Sequence, residues 1–158
     1  MADLLNELLQ QESELQFGSF SEATAWQIGS QLVERAQREG LPIVIDITRG
    51  SHQLFHASLK GSSLDNDEWV KRKSRAVYRF EHSSLYMGEL LKSRGQTIDK
   101  DYLLPESEIA PHCGSFPIIL RGTGVVGTIT VSGLPQQDDH RLVVEAIRNY
   151  LLSGNKAE

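Results

Sequence analysis

The sequence predicts an α/β fold of the α+β kind, with one mainly antiparallel sheet of about five strands and helices on both faces. Three observations predict it. Two pairs of β-branched, apolar segments are each joined by a glycine-bearing turn, as in β-hairpins. Segments with apolar residues at helical spacing precede, separate and follow these pairs. The chain has 158 residues, of which 39% are hydrophobic, so a single domain over residues 1–158 can bury a core without disulfides.

Composition and charge argue against several classes of protein. The formal net charge of −5 disfavours nucleic-acid binding, because phosphate recognition needs a basic surface. Cys113 is the single cysteine, so no internal disulfide can form. No apolar run approaches the roughly 20 residues that cross a bilayer. Residues 1–16 lack the basic start and apolar core of a secretory signal. We therefore expect a cytoplasmic protein that binds neither nucleic acid nor membranes.

The first half of the chain predicts two helices, a short edge strand and a hairpin. Leucines recur at helical spacing in residues 1–14, which predicts a helix that docks on the sheet or on a neighbouring subunit. Residues 15–20 have strand character and supply the fifth strand. A helix over 21–40 follows, capped by its first serine and ended by its last glycine. Two strands, over 41–48 and 52–59, then form the first hairpin.

The second half predicts three helices, a long irregular connection and a second hairpin. This hairpin is the most apolar stretch of the chain, with Gly-Thr-Gly at its turn, and a proline begins the last helix. The connection is longer than most loops in compact domains, and such loops are often functional. The segments are helices over 65–80 and 85–94, the connection over 96–114, strands over 115–121 and 124–132, a helix from 135, and a frayed tail over 153–158.

Lys73 is the most informative charged residue. It falls on the apolar stripe of its helix, where a lysine must extend to solvent, pair with a carboxylate, or line a cavity that binds an anion. The sequence leaves these alternatives open. Arg72, Arg75 and Arg79 lie on another face at spacings of three and four. That face suits a solvated surface, a subunit contact, or a carboxylate or phosphate site.

The histidines, cysteine and glycines match no known site by spacing. The five histidines include no pair with zinc-helix spacing, and one thiol cannot form a thiolate site. Haem needs one axial histidine, so each histidine is admissible and spacing selects none. Cys113 lies beside His112, but catalytic partners are usually adjacent in space, so an ordinary loop thiol is the simpler interpretation. The string Gly122–Gly127 continues as a strand, which disfavours a dinucleotide site.

Five motifs stand out between the third helix and the start of the last one. They are Trp69–Lys73, Val77–Tyr86, Phe116–Ile118, Gly122–Thr128 and Val131–His140. Together they resemble an uncharacterised protein family within the haem-degrading-domain superfamily. The basic helix segment and the Ser-Gly-Leu-Pro string are the more specific of these motifs, and the resemblance covers nearly the whole chain.

The resemblance implies a profilin-like α/β/α sandwich with a five-stranded antiparallel sheet, and homo-oligomers from dimers to larger rings. Relatives in the superfamily include haem-binding sensor proteins and the C-terminal domain of some propanediol-utilisation adenosyltransferases, which makes haem the candidate cofactor. Family members usually carry a more glycine-rich run before Phe-Pro-Ile, where this chain has His112–Ser115. The side chains of Cys113 and Ser115 are expected to narrow a ligand site there.

These observations favour a self-assembling protein that binds a small anionic molecule, such as haem or an organic acid, and has no catalytic residue. We expect the pocket between the 65–80 helix and the 115–132 hairpin, where Gly124 would let the backbone approach closely. His82 is the first choice for an axial haem ligand and His112 the second. The residues expected to line the pocket are Trp69, Arg72, Lys73, Arg79, His82 and Gly124.

Two alternatives stay open. In the first, the protein is a scaffold whose basic helix face and N-terminal helix contact other subunits or partner proteins, with no ligand. In the second, it is an enzyme that degrades haem oxidatively. The sequence contains no motif that assigns a reaction, so the enzyme is the less favoured of the two.

Overall fold

The structure is a computed structural model that describes residues 2–154. The strands β1 (Val44–Arg49), β2 (His52–Ser58), β3 (Ser115–Leu120) and β4 (Gly124–Ser132) form one antiparallel sheet in the order β2-β1-β4-β3. The helices are α1 (Ala2–Glu14), α2 (Glu22–Glu39), α3 (Leu64–Phe80), α4 (Ser84–Ser93), α5 (Ile98–Asp101) and α6 (Asp138–Leu152). Residues 155–158 of the predicted tail lie outside the described residues.

The sheet has four strands rather than the five that we predicted. The segment expected to form the fifth strand contributes a single parallel bridge between Phe17 and Leu120. The Phe17 N–H donates to the Ile119 carbonyl oxygen at 2.8 Å, and the Arg121 N–H donates to the Phe17 carbonyl oxygen at 2.9 Å. The chain bends at Gly18, and α2 begins only a few residues later, so no room is left for a longer ladder.

One face of the sheet is apolar and forms the main core with α2 and α6. Side chains alternate along a strand, which places Ile45 and Ile47 of β1 and Ile129 and Val131 of β4 on this side, all of them buried. They pack against the apolar stripes of the two helices, Ala25, Ile28, Leu32 and Ala36 from α2 and Leu142, Val143, Ala146, Ile147 and Tyr150 from α6.

The opposite face, covered by α3 and α4, is polar and also buried. Asp46, Ser115, Thr128 and Thr130 all lie in this layer. The hydroxyl oxygens of Ser115 and Thr130 are 2.8 Å apart, and those of Thr48 and Thr128 are 2.9 Å apart. Buried polar groups are tolerated when they are hydrogen-bonded in this way. Strand alternation therefore produces an apolar layer on one side of the sheet and a polar layer on the other.

Serine residues set the starts of α2, α3 and α4. The Ser21 N–H donates to Thr24 Oγ1 at 3.1 Å and the Thr24 N–H donates to Ser21 Oγ at 3.3 Å, so a threonine completes the reciprocal cap that usually uses Glu. The Ser63 N–H donates to Asn66 Oδ1 at 2.9 Å, which starts α3 slightly earlier than the sequence predicts. Ser83 caps α4, and its side chain accepts a hydrogen bond from the Tyr86 N–H.

α1 packs beside α4 and is held there by buried polar contacts. Glu12 is 7% exposed. Its Oε1 atom lies 2.7 Å from His82 Nδ1, and its Oε2 atom accepts a hydrogen bond from the Ser83 N–H at 3.0 Å. Gln11 Oε1 lies 2.8 Å from His140 Nε2. These contacts tie α1 to the start of α4 and to the first turn of α6.

Candidate functional site

Lys73 lies in the polar layer between α3 and the sheet and is 2% exposed. Its Nζ atom donates to the Val131 carbonyl oxygen at 2.6 Å, to the Cys113 carbonyl oxygen at 3.0 Å, and to Asp139 Oδ2 at 3.4 Å. An ammonium group has three N–H donors, so all of them have acceptors within the protein. Of the alternatives left open by the sequence, this geometry favours the structural ion pair over a lysine that binds a ligand.

Asp139 completes the cluster from the first turn of α6. Its carboxylate accepts hydrogen bonds from the Gly133 N–H at 3.3 Å and from the Leu134 N–H at 2.9 Å. Burial lowers the pKa of Lys73 and raises the pKa of Asp139, and their mutual attraction opposes both shifts. Hydrogen bonds to every donor of the lysine and to both oxygens of the aspartate favour the charged forms, so the two residues form a buried ion pair.

Gly114 makes room for this ion pair. Its φ angle is +130°, and a Cβ atom at this position would overlap both Lys73 Nζ and the Val131 carbonyl oxygen. Glycine is the residue that tolerates this conformation and such a close approach. The Ser115 hydroxyl, expected to narrow a ligand site, instead bonds to Thr130 within the polar layer.

A cleft of about 810 Å³ opens beside the ion pair, between α3, α4 and the Ser132–Arg141 segment. Ligand sites commonly have volumes of roughly 300–1,000 Å³. The residues that line it include Trp69 from α3, Leu85, Gly88 and Lys92 from α4, Pro111, His112 and Cys113 from the connection, and Leu134, Gln137 and Arg141 beyond β4. The cleft lies at the C-terminal end of β4, whereas the hairpin turn lies at the other end.

Trp69 and His112 form the wall between this large cleft and a smaller one. Their rings are in edge-to-face contact, with centroids 5.5 Å apart. The Arg72 guanidinium carbon lies 4.0 Å from the centroid of the Trp69 ring, a cation–π contact. Desolvation of the ring, and then the charges of Lys73 and Arg72, lower the pKa of His112, which favours the neutral imidazole. His112 makes no hydrogen bond to the part of the chain that is described.

The smaller cleft has a volume of about 450 Å³ and lies on the other side of that wall. Trp69, Gly88, Lys92, Pro111 and His112 border both clefts. Its own lining combines apolar and polar side chains, Leu91, Ile98, Ile109 and Ala110 with Arg72, Gln96, Thr97 and Glu106. The structure thus brings together three of the predicted ligand-binding residues, Trp69, Arg72 and Lys73, and adds His112 to them.

The other three predicted residues lie elsewhere, and the expected pocket between α3 and the hairpin turn needs correction. Of residues 2–154, neither cleft includes Arg79, His82 or Gly124 in its lining. Arg79 is exposed on α3, and His82 Nδ1 is engaged by Glu12. A Cβ atom at Gly124 would meet no atom within 4 Å, so this glycine serves the turn, with φ at +110°, rather than a close approach.

Cys113 has the properties of an ordinary loop thiol. Its Sγ atom donates a hydrogen bond to the Gln136 carbonyl oxygen at 2.8 Å. Burial raises the pKa of the thiol, so the nucleophilic thiolate is disfavoured. Within residues 2–154 there is no group of three or more histidine, cysteine, aspartate or glutamate residues that could hold a metal ion.

Sequence reasoning missed the contribution of α4 and of the segment after β4. Gly88 is the clearest case, because a Cβ atom there would overlap the Pro111 carbonyl oxygen. A glycine inside a helical pattern is a known sign of close packing, so this signal was present in the sequence. Lys92 and Arg141 gave no such signal, since exposed basic residues on helices are common. No helix among the described residues has the length and apolar character needed to cross a membrane.

Relatives of known family match this chain over most of its length. The family model described as haem degrading protein HbpS-like matches residues 20–148. A UPF0303 protein of Streptomyces coelicolor is 46% identical over 150 residues, covering 95% of this chain and 95% of the relative. A UPF0303 protein of Rhizobium etli is 48% identical over 145 residues, covering 92% of this chain and 88% of the relative.

Solved structures share the same fold. The crystal structure of the Ybr137w protein superposes with a TM-score of 0.87 at 30% identity, covering 96% of this chain and 89% of that one. HbpS has a TM-score of 0.65 at 18% identity, covering 86% of this chain and 92% of that one. The PduOC–haem complex has a TM-score of 0.68 at 17% identity, covering 82% of this chain and 94% of that one. The family match and the UPF0303 relatives lead to one conclusion, which the five sequence motifs also indicated: the chain belongs to the HbpS-like family.

Proposed function

We propose that the protein binds haem in the large cleft, with His112 as the iron ligand. The observation that carries the proposal is the state of His112, whose imidazole lines the cleft, favours the neutral form, and has no hydrogen-bond partner among residues 2–154. A neutral imidazole with a free nitrogen is the form that ligates haem iron. A structural neighbour, PduOC, is known as a haem complex, which supports the choice of ligand.

The rest of the large cleft suits a flat and mostly apolar ring with acidic side groups. Leu85, Pro111 and Leu134 supply apolar walls. Lys92 and Arg141 have side chains that are 67% and 63% exposed, and each pairs with a carboxylate three residues earlier, Glu89 or Asp138, which it would exchange for a propionate group. Haem would supply redox and gas-binding chemistry at its iron. The residues of the chain would hold the ring, orient it and neutralise its carboxylates.

The test is a haemin titration of the purified full chain, followed by the position and intensity of the Soret band. We expect the wild type to give a saturable shifted band, because imidazole ligation changes the iron spectrum. His112→Ala should remove the shift. His82→Ala is the matched control and should keep it, since His82 lies outside both clefts.

Two results would overturn the proposal. One is the absence of any saturable Soret shift in the wild type. The other is an unchanged shift in His112→Ala together with a lost shift in His82→Ala, which would restore the first choice made from the sequence. Circular dichroism of each variant identifies any that fail to fold.

The alternatives make separate predictions. An enzyme that degrades haem must bleach the bound haem spectrum when a reductant and oxygen are added, faster than free haem is bleached. A scaffold must assemble normally and leave the haemin spectrum unchanged. The same titration, followed by addition of ascorbate in air, therefore distinguishes all three functions.

A further inference from the structure

Arg72 is a cation at the edge of the smaller cleft. Lys71 and, more weakly, the charge of Arg72 lower the pKa of Glu68, but Arg72 forms no ion pair with that residue. Within residues 2–154 its guanidinium donates no hydrogen bond and makes no ion pair. Stacking on the Trp69 ring at 4.0 Å holds the group in place without using its N–H donors. A fixed guanidinium with free donors is well suited to a carboxylate, which can accept two parallel hydrogen bonds from it.

The same cleft contains acceptors that lack donors. Gln96 Oε1 is fully buried and has no hydrogen-bond partner in the described chain. A buried acceptor without a partner destabilises the protein, so a ligand that supplies a donor would be favoured. Glu106 also borders the cleft and forms no ion pair with residues 2–154. Glu106 raises and Arg72 lowers the pKa of His112, so both charges lie close to that ring.

Leu91, Ile98 and Ile109 provide the apolar part of the smaller cleft. The cleft therefore offers a positive group, two acceptors and a hydrocarbon wall within about 450 Å³. One class of small molecule complements all three, since a free amino acid carries a carboxylate, an ammonium group and a side chain on one carbon. We propose that the smaller cleft is a binding site for a free amino acid with an apolar side chain.

In this site the carboxylate pairs with Arg72, the ammonium faces Glu106 and donates to Gln96 Oε1 once the Gln96 side chain turns toward the cleft, and the ligand side chain contacts the apolar wall. The cleft is built before any ligand arrives. The Ala110 N–H donates to the Arg72 carbonyl oxygen at 3.0 Å, and Arg75 donates to the Glu108 carbonyl oxygen at 3.1 Å. These bonds hold the connection against α3, so binding costs little ordering of the chain.

Isothermal titration calorimetry of the full chain tests the site with three probes of similar shape. L-Leucine carries both charges, isocaproate carries only the carboxylate, and isoamylamine carries only the ammonium. We expect leucine to bind and each single-charge probe to bind at least about tenfold more weakly, because each leaves one group of the site unpaired. Absence of leucine binding, or tighter binding of isocaproate than of leucine, overturns the proposal.

Variants then assign the two ends of the ligand. Arg72→Gln should weaken the binding of leucine and isocaproate by at least about tenfold. Gln96→Leu should weaken the binding of leucine and isoamylamine but leave the binding of isocaproate unchanged. Arg79→Gln, on the same helix but outside the cleft, is the matched control. Equal binding of leucine by Arg72→Gln and by the control overturns the assignment.

The amino-acid site does not depend on haem binding. Gln96 borders only the smaller cleft, so Gln96→Leu should keep the haemin titration of the wild type, whereas Arg72→Gln also removes a charge that acts on His112. Failure of one proposal therefore leaves the other standing.

Discussion

At the scale of the residue, Lys73 joins segments that are far apart in the chain. Its ammonium group contacts Cys113 in the connection, Val131 in β4 and Asp139 in α6. Burying two charges is costly, and the cost is offset only when each charge keeps its partners. Removing one member leaves the other as an uncompensated buried charge. The ion pair therefore stabilises the packing of α3 against β4 and α6 more than the 3.4 Å distance between Lys73 Nζ and Asp139 Oδ2 alone suggests.

Lys73→Met is expected to lower the free energy of unfolding by about 3 kcal/mol, because the methionine leaves the Asp139 carboxylate and two carbonyl oxygens without their donor. Urea unfolding followed by circular dichroism measures the change. Lys71→Met is the matched control, since Lys71 is exposed and pairs only with Glu68 at 2.8 Å, and it should change stability by less than about 0.5 kcal/mol. Equal stability of the two variants would show that the buried pair contributes nothing.

The sequence could show that Lys73 was unusual but could not name its partners. Helical spacing placed it on an apolar stripe, which is a local property. Its acceptors are 40, 58 and 66 residues away, and only the folded chain brings them together. The sequence could not decide between His82 and His112 for the same reason, because one axial ligand is a requirement that every histidine meets. Packing on Trp69 and pairing with Glu12 distinguish these two residues in the structure.

At the scale of the element, the Glu12 carboxylate of α1 binds the residues at the start of α4. The hydrogen bond that His82 donates to the Glu12 carboxylate raises the pKa of His82 above its ordinary value. A group whose pKa is raised by folding contributes stability that is fully present below its unfolded pKa, about 6.5 for histidine, and is lost as the pH rises through the folded value. The docking of α1 should therefore be strongest in mildly acidic solution and weaken above neutral pH.

Glu12→Gln tests this dependence with little change of shape. The amide can still accept from the Ser83 N–H and can donate to a neutral His82, but it cannot attract an imidazolium. At about pH 6 the variant should be less stable by about 1 kcal/mol, a small value because 37% of the His82 side chain is exposed. The difference should shrink as the pH rises above neutrality, because His82 then loses its charge. Glu7→Gln on the exposed face of α1 should show no such trend, and a pH-independent difference in Glu12→Gln would contradict the argument.

Elements were predictable where the local pattern was long. Five of the helices and both hairpins follow from apolar periodicity and turn residues, with boundaries shifted by only a few residues, whereas α5 lies in the connection predicted to be irregular. The fifth strand failed because the chain bends at Gly18 directly after the single bridge at Phe17 and then enters α2, and strand character alone does not reveal that bend. The last helix starts at Asp138 rather than at Pro135, because the preceding residues turn around the Asp139 carboxylate.

At the scale of the whole molecule, the two edges of the sheet differ. The outer edge of β3 is bridged by Phe17, whereas β2 has no further strand beside it among residues 2–154. Trp26 lies near this open edge, where its ring contacts Phe55 with centroids 5.9 Å apart, and it is 66% exposed. An exposed aromatic side chain beside an open strand edge is typical of a subunit interface.

The self-assembly predicted from the sequence should therefore use the surface around Trp26 rather than the basic face of α3. Multi-angle light scattering of the wild type should report a mass above that of one 17.7 kDa chain. Trp26→Ser should lower the mass, since aromatic residues contribute much of the binding energy of protein interfaces. Arg79→Glu should leave it unchanged, as should Leu103→Ser, which removes an 85% exposed apolar side chain elsewhere on the surface. A monomeric wild type would show that the prediction of self-assembly is wrong, and dissociation by Arg79→Glu alone would move the interface to the basic face.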